Sequence, residues 1–290
     1  MKNIWIYGFI SIAILTSFIV KPKPGIKLPK EYVKIMGGTY VIHPDSGKRI
    51  VMNEFYMSAF EVSNLKYRTF IGEVSNYMNQ EEIRLLLPDT SKFNIIHPET
   101  KPLKKFYYSH QSFNHYPVVN ISHYAATKYC EWLQEKIKKE NPGYEVSVKL
   151  PSKDQWIWAA QGGRSQAMFP WTNYFLHDKK GNKLCHFKSV KDQHVYRSRQ
   201  TGKPEILDPS SGTNHLTFTA IVDSYKKNDF GLYNMCGNVA EMISEPGIGM
   251  GGSWNDYGGD VHIKAESGYD VASPMIGFRP VIVIKKISGN

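Results

Sequence analysis

Cysteine is scarce in this chain: there are three in 290 residues, Cys130, Cys185 and Cys236, and none after Cys236. That excludes the disulfide framework of a small secreted scaffold, and it leaves the C-terminal part without a thiolate for soft-metal chemistry. None of the ten histidines forms an H-x-x-x-H pair, so a helical zinc motif is missing. No Gly/Ser linker, charge block or internal repeat cuts the chain, which argues for one compact domain. The formal charge of +10 comes without a nucleic-acid motif. Its lysines are scattered, the densest runs being Lys136-Lys138-Lys139 and Lys285-Lys286, and nucleic acid is not expected as a partner.

What is present suits a folded domain. Hydrophobic residues make up 41% and aromatic residues 13% of the chain, enough to bury a sizeable core. One apolar run stands apart, Ile4 to Val20, followed by Lys21-Pro22-Lys23-Pro24-Gly25 as an extended tether. It is long for a signal-peptide core and short for a spanning helix, and no small-x-small cleavage pattern follows. Residues 1–30 are therefore expected to be a signal peptide or membrane anchor plus tether, with 31–290 as the domain. No cysteine lies near enough to carry a lipid.

From Glu31 to Ser58 the pattern is strand-like, with turns at Gly37-Gly38 and at Pro44-Asp45-Ser46-Gly47. Ser63 predicts the cap of a short helix burying Tyr67, Phe70 and Ile71. Ser122 predicts the cap of the longest helix, running to about Lys139, with Ala126, Tyr129, Leu133 and Ile137 on one face and Cys130 buried beside it. Ser152 with Gln155 has the spacing of a capping box; Trp156, Ala159 and Ala160 form that helix's apolar side and Gly162-Gly163 stops it. Beyond Pro170 the chain reads as turns and short strands, ending in an apolar strand from Pro280 to Ile284.

The stretch Asn228 to Met242 departs from both helix and strand periods. Phe230-Gly231-Leu232-Tyr233-Asn234-Met235 and Gly237-Asn238-Val239-Ala240-Glu241 resemble the FGLYDM-x-GNVWEW signature of the formylglycine-generating enzyme, or sulfatase-modifying factor, family. Other blocks follow in the family's order: Met36-Gly37-Gly38-Thr39-Tyr40, Phe60-Glu61-Val62-Ser63-Asn64, Pro117-Val118-Val119, Tyr129-Cys130-Glu131-Trp132-Leu133, Leu150-Pro151-Ser152, Pro170-Trp171, Gly251-Gly252-Ser253-Trp254 and Gly277-Phe278-Arg279. The insertion from Tyr77 to Tyr116 resembles the branch containing the gliding-motility lipoproteins K and J. The resemblance implies an α+β fold, a C-type lectin-like variant with few helices, short strands and long ordered loops.

It also implies chemistry. Enzymes of the family oxidise a cysteine using copper held by two thiolates, one soon after the GGS block and one five residues later. Here those positions are Asp256 and Val261, neither of which binds copper(I) as a thiolate does. Asp256, Asp260 and Glu266 are candidates to line a cleft there, while His262 with Asp256 and Asp260 reads as solvated loop rather than a metal site. The family's structural calcium maps onto the side-chain oxygen of Asn234, the carbonyls of Gly237 and Val239 and the carboxylate of Glu241. With one formal charge, stabilisation at ten times the dissociation constant would be about 1.4 kcal/mol. A second calcium site would have His186 in place of its asparagine, a poor ligand for a hard cation. The only pair left for a disulfide is Cys185 with Cys236, free thiols being the other reading.

The expectation is a non-catalytic envelope protein, exported and periplasmic or anchored facing the periplasm. It would act on protein partners of the envelope, as in a gliding-motility or secretion apparatus. A formylglycine-generating-type oxidase and a lectin-like ligand binder are the alternatives.

Overall fold

The computed structural model describes residues 25–43, 48–95, 101–189, 195–197, 204–206 and 218–287. The apolar run Ile4 to Val20 and the turn Pro44-Asp45-Ser46-Gly47 lie outside them. Among the described residues no helix is long and apolar enough to cross a membrane.

Two four-stranded sheets form the frame. The first has the order β1 (Tyr32–Ile35), β4 (Phe55–Ser58), β12 (Val281–Lys286), β5 (Tyr144–Lys149), all antiparallel. The last strand is thus inserted between β4 and β5. Its continuous apolar sequence explains why it takes that interior place, since successive side chains leave opposite faces. Ile282 enters one core with Val146 and Val148, and Val281 enters the other with Met57. The second sheet has the order β10 (Glu266–Gly268), β9 (Ile248–Met250), β8 (Ala240–Met242), β11 (Ile276–Phe278). Within it β8 and β11 run parallel, with Glu241 opposite Gly277. Two hairpins stand outside these sheets, β2 (Gly38–His43) with β3 (Lys48–Met52), and β6 (Val195–Arg197) with β7 (Pro204–Ile206).

The helices begin where local chemistry sets them. Ser63 caps α1 (Asn64–Val74) by accepting from Lys66 N, and Ser122 caps α4 (His123–Glu140) by accepting from Ala125 N. Ser152 and Gln155 complete a capping box at α5 (Lys153–Gln161), which ends at Gly162 in the left-handed region. The predicted faces are the buried ones: Ala126, Tyr129, Leu133 and Ile137 on α4, Trp156, Ala159 and Ala160 on α5. On α1, Tyr67 and Phe70 are buried, but Ile71 is only half-buried at the rim and Val74 takes the inward position.

The Tyr77 to Tyr116 segment folds as α2 (Gln80–Leu86), a 3₁₀ turn over Thr90–Ile95 and α3 (Lys101–Phe106). Its aromatics Phe93 and Tyr107 pack with Val119, Val239 and Trp254 into a third core. That packing ties the insertion to the loops that carry the candidate site.

Candidate functional site

The loop from Asn228 to Met242 is held by side chains rather than by strands. Asn228 accepts from Phe230 N and Leu232 N while donating to the carbonyls of Ala159 and Ala160, so it pins the turn to the end of α5. Asn234 and Asn238 both have positive φ, at 52° and 61°. Asparagine tolerates this region because its short amide bonds locally. Gly237 also has positive φ, and a Cβ there would sit 2.3 Å from the carbonyl oxygen of His186. Only glycine allows that approach.

Beneath the loop lies a dry charge network. Glu241, on β8, and Arg279, just past β11, are both fully buried and meet because β8 and β11 are neighbours. Arg279 Nε donates to both Glu241 oxygens at 3.1 and 3.0 Å, and Nη2 donates to Oε1 at 2.6 Å. Trp156 Nε1 donates to Oε2 at 2.8 Å. The remaining guanidinium N–H groups go to the carbonyls of Ser58, Ala59 and Tyr233. A second buried carboxylate, Glu61, accepts from Asn238 Nδ2 at 2.9 Å and from Asn234 Nδ2 at 3.2 Å. Burial lifts its carboxyl to about 8; Arg279 opposes the rise and Glu241 adds to it.

This arrangement tests the calcium expectation. Asn234 fits, since its Oδ1 is buried and has no partner. Glu241 does not: each of its oxygens already accepts two donors, and its charge is neutralised by Arg279. A cation bound there would stand beside a buried guanidinium, so of the expected set Asn234, Gly237, Val239 and Glu241, Asn234 is placed as a calcium ligand would be and Glu241 in this arrangement is not. Gly237 and Val239 lie in the same loop, Val239 turning its side chain into the third core. His186, at the second site, bonds through Nε2 to the carbonyl of Phe218 and through Nδ1 to the Tyr225 hydroxyl.

On the other side of Trp254 the chain opens a cleft of about 480 Å³. Asp256, Asp260 and Glu266 line it as expected, together with His262 and Lys264. Asp256 Oδ2 accepts from both Ser253 N and Ser253 Oγ at 2.7 Å, so one oxygen caps the turn. Val261 is fully buried in the second core. Glu266 pairs with Lys153 at 2.5 Å. His262 Nδ1 accepts from Lys264 N, and burial lowers the ring's pKa. Among the described residues no group of three or more His, Cys, Asp or Glu is placed to hold a metal.

The thiols are far from reactive. All three cysteines are free and buried, so the pairing of Cys185 with Cys236 is not formed. Burial pushes the Cys185 thiol up to about 12 and raises Cys130 and Cys236 as well. Sequence reading gave Cys130 its buried place and put Trp156 on the apolar side of its helix, but it assigned no role to Glu61 or Arg279 and no polar contact to Trp156. The signal for Arg279 was present, a lone charge inside the apolar run Ile276 to Ile284.

Residues 20–284 match the model of the sulfatase-modifying factor enzyme 1-like domain. The formylglycine-generating enzyme of Mus musculus is 28% identical over 218 residues, covering 68% of this chain and 50% of that enzyme. The chain thus spans about half the length of that relative. A second relative is the inactive C-alpha-formylglycine-generating enzyme 2 of Bos taurus, 21% identical over 291 residues, covering 85% of this chain and 86% of that protein. Among solved structures, CarF superposes with a TM-score of 0.57 at 17% identity, covering 90% of this chain and 99% of that one, a likeness of fold. With the match running over residues 20–284, most of its length, the chain belongs to the sulfatase-modifying factor family.

Proposed function

We propose that this chain is a non-catalytic member of the family, exported to the cell envelope, where it binds a protein partner of a motility or secretion apparatus. The observation that carries the reading is the state of Asp256 and Val261. The resemblance puts the copper thiolates there, yet one position holds a carboxylate with one oxygen tied to its own turn and the other holds an alkyl side chain sealed in the core. The chain's three thiols are buried elsewhere and held protonated. A relative described as inactive, matched over most of both chains, adds support.

The test has two arms. Purified protein incubated with copper and a peptide carrying a sulfatase-type cysteine motif is expected to leave the cysteine unchanged; formation of an aldehyde overturns the reading. Protease added to spheroplasts is expected to digest the domain, and full protection with intact cytoplasmic controls overturns the export. The open cleft favours one second reading, a lectin-like module binding a small polar ligand between Asp260, His262 and Glu266.

A further inference from the structure

Asn141 fixes the point at which the N-terminal segment leaves the domain. It ends α4, is buried, and clamps Lys27 from both sides: Lys27 N donates to its Oδ1 at 2.8 Å, and its Nδ2 donates to the Lys27 carbonyl at 2.8 Å. Nδ2 also donates to the carbonyl of Ile137, which ties the clamp to the helix. The end of β12 reaches the same place, since Ile287 N donates to the carbonyl of Gly143 and Lys286 lies opposite Tyr144. From Val20, where the apolar run ends, to Lys27 the chain spans at most about 25 Å. A domain of this length is roughly 45 Å across. With the run in a bilayer, the face around Asn141 can lie against the surface and the opposite face cannot.

That face is basic. Lys27, Lys138, Lys139, Lys285 and Lys286 are all exposed on it, against Glu135, Glu140 and Glu145. Glu135 is paired with Lys138 at 2.9 Å, and Lys285 stands opposite Glu145 in the ladder. Among the described residues Lys27, Lys139 and Lys286 have no carboxylate at ion-pair distance, and Lys21 and Lys23 precede the clamp in the sequence. Ile26 and Ile287, 37% and 55% exposed, stand among these lysines. We infer that this face lies against a bilayer bearing anionic headgroups, with the Ile4 to Val20 run retained as its anchor. The inference rests on the export to the envelope proposed above. Lysines are drawn to an anionic surface within about one Debye length, and the short segment after Val20 lets them come that close. Exposed isoleucines among lysines suit the boundary between headgroups and acyl chains. The charge of +10 is spread over the whole chain and by itself selects no face; the clamp at Asn141 does.

The experiment reconstitutes the full chain into nanodiscs of phosphatidylcholine, alone or with about 30% phosphatidylglycerol, and reads timed acetylation of each lysine by mass spectrometry. Lys27, Lys139 and Lys286 are expected to label about threefold more slowly, or slower still, in the anionic discs. Lys179 and Lys180, exposed on a turn whose base at Leu176 packs on the second core, are expected to label equally in both. The difference should vanish at about 0.5 M salt, which screens the attraction. Reversing two exposed charges, Lys285→Glu with Lys286→Glu, should return Lys27 and Lys139 to their rate in the neutral discs. Equal labelling in the two lipids, protection shared by Lys179 and Lys180, or protection that survives salt or the double substitution would each overturn the assignment. So would a chain that stays on neither disc, since the anchor would then be missing. The lipid comparison uses the unaltered protein and needs no variant to fold. None of these outcomes bears on the copper or spheroplast tests, so this inference and the proposed function fail separately.

Discussion

Two polar regions flank Trp254, and they differ in how far their charges are satisfied. Under the loop from Asn228 to Met242, Glu241 and Arg279 are sealed from water and every guanidinium N–H group has an acceptor. In the cleft, Asp260 and Glu266 are exposed and Asp256 and His262 half-buried, and only Asp256 is tied into a turn by two bonds. The difference separates structure from recognition. A buried pair with spent donors positions strands, whereas open groups with spare lone pairs are free to meet a ligand.

The comparison breaks most severely at Arg279. Arg279→Met should destabilise the fold by about 3–5 kcal/mol, because it leaves Glu241 buried without its cation. Chemical denaturation measures this, and a loss below about 1 kcal/mol would mean that the network is not dry. Glu241→Gln removes the other half and should cost about 3 kcal/mol. The same loss is expected with and without millimolar calcium. A calcium-dependent difference would restore Glu241 as a metal ligand.

Glu61 sharpens the comparison through pH. Its carboxyl lies at about 8 when folded against an ordinary value of 4.5, so the folded state keeps a proton that the unfolded state releases. The stability this contributes is complete below about pH 4.5 and drains away as pH rises through about 8. Glutamine does not titrate. The melting midpoint of Glu61→Gln should therefore gain on that of the natural chain as pH rises from about 5 to about 8.5; parallel curves would show that Glu61 is ionised throughout.

The smallest effect belongs to the cleft. Asp256→Ala removes the acceptor for Ser253 N and Oγ and should cost about 1 kcal/mol in a denaturant melt, since the turn reopens to water. A cost of several kcal/mol would place Asp256 with the buried network instead.

Much of the fold was readable because its causes are local. Ser63, Ser122 and Ser152 cap helices through bonds within three residues, and the buried stripe on α4 follows from a period of 3.6. Asp256 and Glu266 were placed in a cleft because the order of motif blocks, read as a resemblance, carries position along the chain. The calcium set, by contrast, was read from the resemblance and from spacing, and the spacing of Asn234 and Glu241 says nothing about what else reaches them.

Sequence by itself determined the helix starts, the buried thiol of Cys130, the family's order of blocks and the loss of both thiolates at Asp256 and Val261. Tertiary structure alone decided the partners of the buried charges. Glu241 meets Arg279 because β8 and β11 pair in parallel, and Glu61 arrives beneath the same loop from the far end of β4. Local periods set which face of an element is apolar. Which charges become neighbours depends on how elements far apart in sequence are stacked, and burial then makes that neighbour, rather than a cation from solvent, the group that neutralises Glu241.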